Sequence, residues 1–200
     1  MKKAILISIR PEWVKKILNG EKIIEIRKTM PNCKFPIDVY IYCSHGKRGL
    51  LVPSIMEKPF AILDTGLVWL PKDKYVWKEM KPVDGKVVAK FTLSRVDEFG
   101  IGDPYEEHTR ALLDKACVTI TEVRKYAGGK HPYYLCHNSL YAWHISDLEV
   151  FDKQKELSDF FSLPETYHHD HESMVDYYER KEARRLKRAP QSWQYVEVEE

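Results

Sequence analysis

The sequence predicts an α+β protein, a small mixed β-barrel of about six strands with short flanking helices and two insertions. Three observations carry this. Strand-like segments and short helices follow one another in mixed order, without the βαβα alternation of a doubly wound sheet. Residues 86–96 alternate over a long run, with Val87, Ala89, Phe91 and Leu93 against Val88, Lys90, Thr92 and Ser94, so one face is buried and one is wet. The second strand carries Lys22, Glu25, Arg27 and Lys28 among three isoleucines. A strand built only for packing would be apolar. This one suggests a β-core that holds charged groups at its mouth, where a polar ligand meets them.

Residues 4–9 are an apolar first strand. Pro11 suits the first position of a helix over 11–19, and Gly20 sits where a left-handed cap is wanted. Trp13, Val14, Ile17 and Leu18 make one apolar stripe of that helix, while Glu12, Lys15 and Lys16 face out. Aromatic and β-branched residues mark a strand over 37–43. Residues 44–82 lose any sustained period and form the first insertion, with a hairpin around 61–70. The Asp84-Gly85 turn opens the strand over 86–96. Residues 109–117 read as a short helix. Thr119 and Glu122 form a capping box opening another, closed by Gly128-Gly129. Residues 139–151 read as a long strand bent at Ser146-Asp147, and 156–161 as a turn of helix. Residues 171–188 are helical and end at Pro190, within a second insertion over 163–189. Residues 193–198 alternate as a final strand.

The bulk numbers fit a single domain over 1–200 with these insertions. An apolar content of 44% supports a real core, and the net charge of +2 is too small for a strongly polyanion-binding protein. A nucleic-acid role therefore needs local clustering of cations. The apolar run at 4–9 is too short for a signal-peptide core or a membrane span, so a soluble, cytoplasmic protein without a membrane partner is expected. Cys33, Cys43, Cys117 and Cys136 lie far apart with no C-x-x-C, which predicts reduced thiols. No metal and no cofactor is expected. His168, His169 and His171 have no spaced partner, and His131, Cys136, His137 and His144 match no zinc module.

Several residues are candidates for a site. Lys22 fits a phosphate contact or a proton carrier whose pKa apolar walls would lower; the plain alternative is a solvated lysine at a turn. Glu25 and Arg27 are two apart and share a strand face, as an ion pair or as a base acceptor beside a phosphate clamp. Strict alternation puts Lys22 on the other face, unless the strand starts after it. Ser8 and Arg10 bracket a helix start that offers free N–H groups to an anion. Ser44 and His45, followed by Lys47 and Arg48, suit a phosphate at a strand end or an ordinary polar loop. Trp143 and His144 point to opposite faces, one core and one at the rim, where an aromatic would stack on a base. Arg184, Arg185 and Arg188 belong to the one dense basic run, which tracks a nucleic-acid backbone or is simply a solvated face.

The spacing Gly20-x-Lys22-x-x-Glu25-x-Arg27, behind a strand and a Pro-started helix, resembles the ASCH domain of the PUA-like superfamily. The strand from Gly85 to Phe91, the stretch from Tyr141 to Asp147 and the closing Pro190-Gln-Ser-Trp193 are similar to ASCH-like proteins of bacteria and their phages. The resemblance implies a PUA-like barrel with a cleft beside the first helix, used on RNA or modified nucleosides. Such proteins include ribonucleases and small amidohydrolases that remove acetyl from N4-acetylcytidine. The amidohydrolases use a lysine and a threonine in G-x-K-x-x-T-x-R with a downstream glutamate. Lys22 matches the lysine, and Glu25 stands where the threonine would be.

The expected function is RNA or nucleotide binding in that cleft. The alternatives are a metal-independent ribonuclease or nucleoside amidohydrolase using Lys22 and Glu25, and a phage-encoded regulator that acts through a protein partner.

Overall fold

The computed structural model describes residues 1–45, 49–53, 60–64, 83–100, 107–128, 139–163 and 181–199. Its elements in chain order are β1 (Lys2–Ile9), α1 (Pro11–Leu18), β2 (Ile24–Arg27), β3 (Ile37–Cys43), β4 (Gly49–Pro53), β5 (Phe60–Asp64), β6 (Val87–Leu93) and β7 (Val96–Phe99). Then come α2 (Glu107–Lys115), α3 (Ile120–Ala127), β8 (Leu140–His144), β9 (Ser146–Lys155), a 3-10 turn over Leu157–Asp159, β10 (Phe160–Ser162) and β11 (Trp193–Val198).

Six strands form the main sheet in the order β10-β11-β1-β3-β6-β9. Only β1 and β3 run parallel, because α1 carries the chain across between them. A three-stranded sheet, β2-β8-β7, and the hairpin β4-β5 complete the described strands. Among the described residues no ladder joins β9 to β10, so the main sheet is not closed into a barrel by hydrogen bonds.

Strand β1 is central and buried on both faces, which explains its nearly unbroken apolar run. Ile5, Ile7 and Ile9 pack with Val14, Ile17 and Leu18 of α1, while Ala4 and Leu6 join Tyr40, Phe160 and Val196 on the other face. A third cluster sets Ile24 and Ile26 of β2 against Leu112, Leu113 and Val123 of the two later helices. By strand alternation Glu25 and Arg27 turn away from that cluster, and this parity positions the site.

Two expected long strands each split. Residues 86–96 end as β6 at Leu93, and after exposed Ser94 and Arg95 the chain enters the second sheet as β7. A register shift between Val87 and Ala89 also upsets the alternation, so Val88, expected on the wet face, is buried in the α1 cluster. Residues 139–151 break at Ile145, where β8 of the small sheet gives way to β9 of the large one, next to Asp147 at φ 48°. Residues 156–161 hold the 3-10 turn and then β10, not a turn of α-helix throughout. In the first insertion the described hairpin pairs Gly49 with Asp64 and Pro53 with Phe60, earlier than expected. The remainder of the 61–70 expectation, most of the helix at 171–188, and His131, Cys136, His137 and the histidines at 168–171 lie outside the described residues.

Candidate functional site

The site begins with how α1 ends. Gly20 takes φ 73°, which lets the chain fold back so that the amides of Glu21 and Lys22 both donate to the Lys16 carbonyl. Strand β2 starts only at Ile24, so Lys22 is not bound by the strand's alternation and reaches the face of Glu25. Its ammonium lies 3.2 Å from Glu25 Oε2 and donates to the Ala116 carbonyl at 2.8 Å. The Trp13 ring covers another side, its centroid 5.3 Å away. Two residues on, Arg27 Nη2 lies 3.0 Å from Glu25 Oε1 and donates to the Ser8 carbonyl at 2.8 Å. Arg27 Nη1 donates to Ser192 Oγ at 3.2 Å.

The result is a buried chain of charge, Lys22–Glu25–Arg27, with side-chain exposures of 2%, 10% and 8%. Taking three charges out of water costs several kcal/mol per ion, and close pairing with further hydrogen bonds offsets it. Lys22 is therefore neither a solvated turn lysine nor a separate cation.

This triad forms the floor of a cleft of about 1040 Å³ beside the start of α1. Its lining carries five cationic side chains, Arg10, Lys22, Arg27, Lys28 and Lys125, against three carboxylates, Glu12, Glu25 and Glu122. One of those carboxylates is committed elsewhere. Glu122 closes the capping box of α3 by accepting from the Thr119 amide at 2.8 Å, and that bond and the Thr119 hydroxyl hold its carboxyl below the usual range. Arg10, Lys28 and Lys125 are exposed and make no ion pair among the described residues.

Aromatic walls flank the floor. Trp13 stands over Lys22, and Tyr126 of α3 keeps 42% of its surface open, with Lys28 Nζ 5.1 Å from its ring centroid. The hydroxyl end of Tyr126 points inward. Burial raises the pKa of this hydroxyl, with opposing smaller effects of Arg27 and Glu25.

The other sequence candidates fall in different places. Ser8 and Ser44 line the cleft, but their hydroxyls are held by the Pro190 carbonyl at 2.6 Å and the Ile9 carbonyl at 3.2 Å. His45 does not line it; its ring packs where a Cβ on Gly85 would sit. Trp143 is wholly buried against Trp193 and donates to the Thr29 carbonyl, so it is core and not a stacking surface at the mouth. His144 is outside the cleft, 2.8 Å from Asp97 of β7. Burial alone would raise the Asp97 carboxyl, but bonds from Arg95 and His144 outweigh it and hold it low. Arg184 pairs with Glu197 at 2.8 Å and Arg185 with Glu182, so both spend their charge inside the molecule. Arg188 is exposed, immediately before the cleft-lining run from Ala189 to Ser192.

Sequence reasoning missed Lys125, Tyr126 and Ser192 as site residues, and it took Trp13 for plain helix packing. A signal existed for the first two, since the capping box correctly placed α3. Nothing local indicated that α3 covers β2. Cys43 is buried beside Asp84, and burial first, then the carboxylate, pushes its thiol pKa up, which suits an inert thiol. Among the described residues no three His, Cys, Asp or Glu side chains cluster as a metal site, and no helix is long and apolar enough to cross a membrane.

No family model and no curated protein matches the sequence. Solved structures do. The ASCH structure from Zymomonas mobilis superposes with a TM-score of 0.52 at 13% identity, over 97% of this chain and 87% of that one. The fold is that of the ASCH domain. A tyrosine-to-phenylalanine variant of the same Zymomonas mobilis protein gives a TM-score of 0.52 at 14% identity, over 98% of this chain and 91% of that one. Its serine-to-alanine variant gives 0.52 at 13%, over 97% and 88%. Within this ASCH fold, the G-x-K-x-x-E-x-R stretch supplies all three residues of the buried triad.

Proposed function

We propose that the cleft of this ASCH fold binds one nucleotide unit of single-stranded RNA. The observation that carries the reading is the buried Lys22–Glu25–Arg27 triad lining the cleft, beneath aromatic walls and beside rim cations that have no ion pair among the described residues. A buried ion chain is a weak source of stability compared with apolar packing of the same volume. A preorganised polar floor under stackable aromatics suits a base, and Arg10, Lys28 and Lys125 suit the phosphates beside it.

Turnover is the rival reading, favoured by the Lys22–Glu25 contact, which has the spacing of an acid–base pair. Purified protein is incubated, without added metal, with labelled single-stranded RNA, alongside a Lys28→Ala/Lys125→Ala variant that leaves the floor intact. A shift on native gels, weakened in the variant, and intact RNA on denaturing gels support binding. Cleavage that tracks the protein makes it a ribonuclease instead. Absence of both signals overturns the RNA reading and favours a modified nucleoside or a protein partner.

A further inference from the structure

The hydrogen-bonding capacity of the cleft floor can be counted donor by donor. Lys22 has three N–H donors. One goes to the Ala116 carbonyl, Glu25 is ion-paired at 3.2 Å, and the Trp13 ring covers a further side of the ammonium, which is 2% exposed. Arg27 has five donors. Nη2 serves Glu25 and the Ser8 carbonyl, and Nη1 serves the Ser192 hydroxyl and carbonyl. Nε is buried, has no partner and is closed to the cleft. The two floor cations are thus held by Glu25 and by groups of the chain itself.

Glu25 differs. A carboxylate has about four acceptor positions, two on each oxygen. Lys22 lies against Oε2 and Arg27 against Oε1, one cation to each oxygen, which leaves acceptor capacity on both. Glu25 is also the most open of the three, at 10%. The floor of a cleft lined by cations therefore offers a carboxylate with acceptor capacity on both oxygens, which suits a ligand with two adjacent donors. Of the four RNA bases, only guanine carries two adjacent donors on its pairing edge, the ring N1–H and the exocyclic amino group. Adenine and cytosine place an acceptor next to their amino group, and uracil has a single N–H.

We propose that Glu25 determines the specificity of the cleft and reads the N1–H and amino edge of a guanine, with the base inward and its phosphates outward at the rim. The inference rests on the nucleotide-binding reading above and adds orientation and base identity to it. Lys22 and Arg27 act as positioning residues. They hold the Glu25 carboxylate from both sides and fix its plane, much as a fork of donors orients a carboxylate. The orientation follows from the same charges. A phosphate at the floor would meet the Glu25 charge, whereas at the rim it meets Arg10, Lys28 and Lys125.

The test is fluorescence anisotropy of labelled uridine octamers carrying at one central position guanosine, inosine, adenosine, cytidine or uridine. Inosine keeps N1–H and lacks the amino group. The guanosine oligomer is expected to bind at least about tenfold tighter than the uridine one, with inosine between them. Glu25→Gln is expected to abolish that order while rim-dependent, salt-sensitive binding persists. Equal binding of all five oligomers overturns the guanine inference and leaves RNA binding standing. No binding to any of them overturns both. Should Glu25→Gln fail to fold, the five-oligomer series on the unaltered protein still decides the question.

Discussion

Replacing Lys22 by methionine tests the buried triad most directly. The substitution keeps the length and apolar stem of the side chain beside Trp13 and removes only the charge. It leaves Glu25 Oε2 without its cation and the Ala116 carbonyl without its donor. Breaking a buried ion pair from one side costs about 3–5 kcal/mol, because the surviving charge stays buried. Arg27 still holds the other oxygen of Glu25, so the lower part of that range applies. An unmade bond to a buried carbonyl is about 1–3 kcal/mol and is largely contained in the same figure. A domain of this size has about 5–15 kcal/mol in all, so the variant folds but is visibly weakened. Urea unfolding followed by circular dichroism should show a midpoint reduced by about 3 kcal/mol of stability with an unchanged slope. The double variant Lys22→Met/Glu25→Gln should lose less than the sum of the two single changes, since no uncompensated carboxylate remains. A Lys22→Met protein within about 1 kcal/mol of the original would refute the reasoning, for it would mean that the triad is not buried from water as a unit.

Thr119→Ala removes the hydroxyl half of the α3 capping box and should cost about 1 kcal/mol in urea unfolding. It should also weaken RNA binding, because α3 carries Lys125 and Tyr126. Asp97→Asn probes a carboxyl held below its ordinary 3.8 in the folded protein. The unfolded chain then binds the extra proton first, so the stability due to Asp97 is complete above that value and is lost as pH falls through the folded value. The gap between the original protein and Asp97→Asn in pH-dependent melting should therefore be full at neutral pH and close in acid. Gly85→Ala forces a side chain onto a residue at φ 79° with His45 Cε1 2.8 Å from the new Cβ. The imidazole can swing aside, so the expected cost is the backbone strain, about 1–2 kcal/mol by thermal melting. Adding His45→Ala should recover little of it.

The parts of the molecule that were legible in sequence are those governed by near neighbours. Pro11 and Gly20 bound α1, Thr119 and Glu122 bound α3 with Gly128 as its left-handed cap, and the alternation in β11 marks its strand. These features rest on caps, fixed φ values and side-chain periodicity, which act over one or two turns of chain. The split of the two long strands was not legible. β6–β7 and β8–β9 each pass from one sheet to the other, and a run of strand-forming residues looks the same on either side of such a crossing.

The site divides along the same line. The sequence by itself determined that Glu25 and Arg27 share a face of β2, that Ile24 and Ile26 take the other, and that charge sits at the end of a β-core. Tertiary structure alone decided that Lys22 joins them, that the Ala116 carbonyl, 94 residues away, accepts its hydrogen bond, and that Ser192, 165 residues from Arg27, holds the guanidinium. It also decided that Arg184 pairs with Glu197 and that Trp143 is core. The physical reason is range. Helix caps and strand parity are settled by bonds within a few residues, whereas the partner of a buried charge is whichever group the packed chain brings to within about 3 Å.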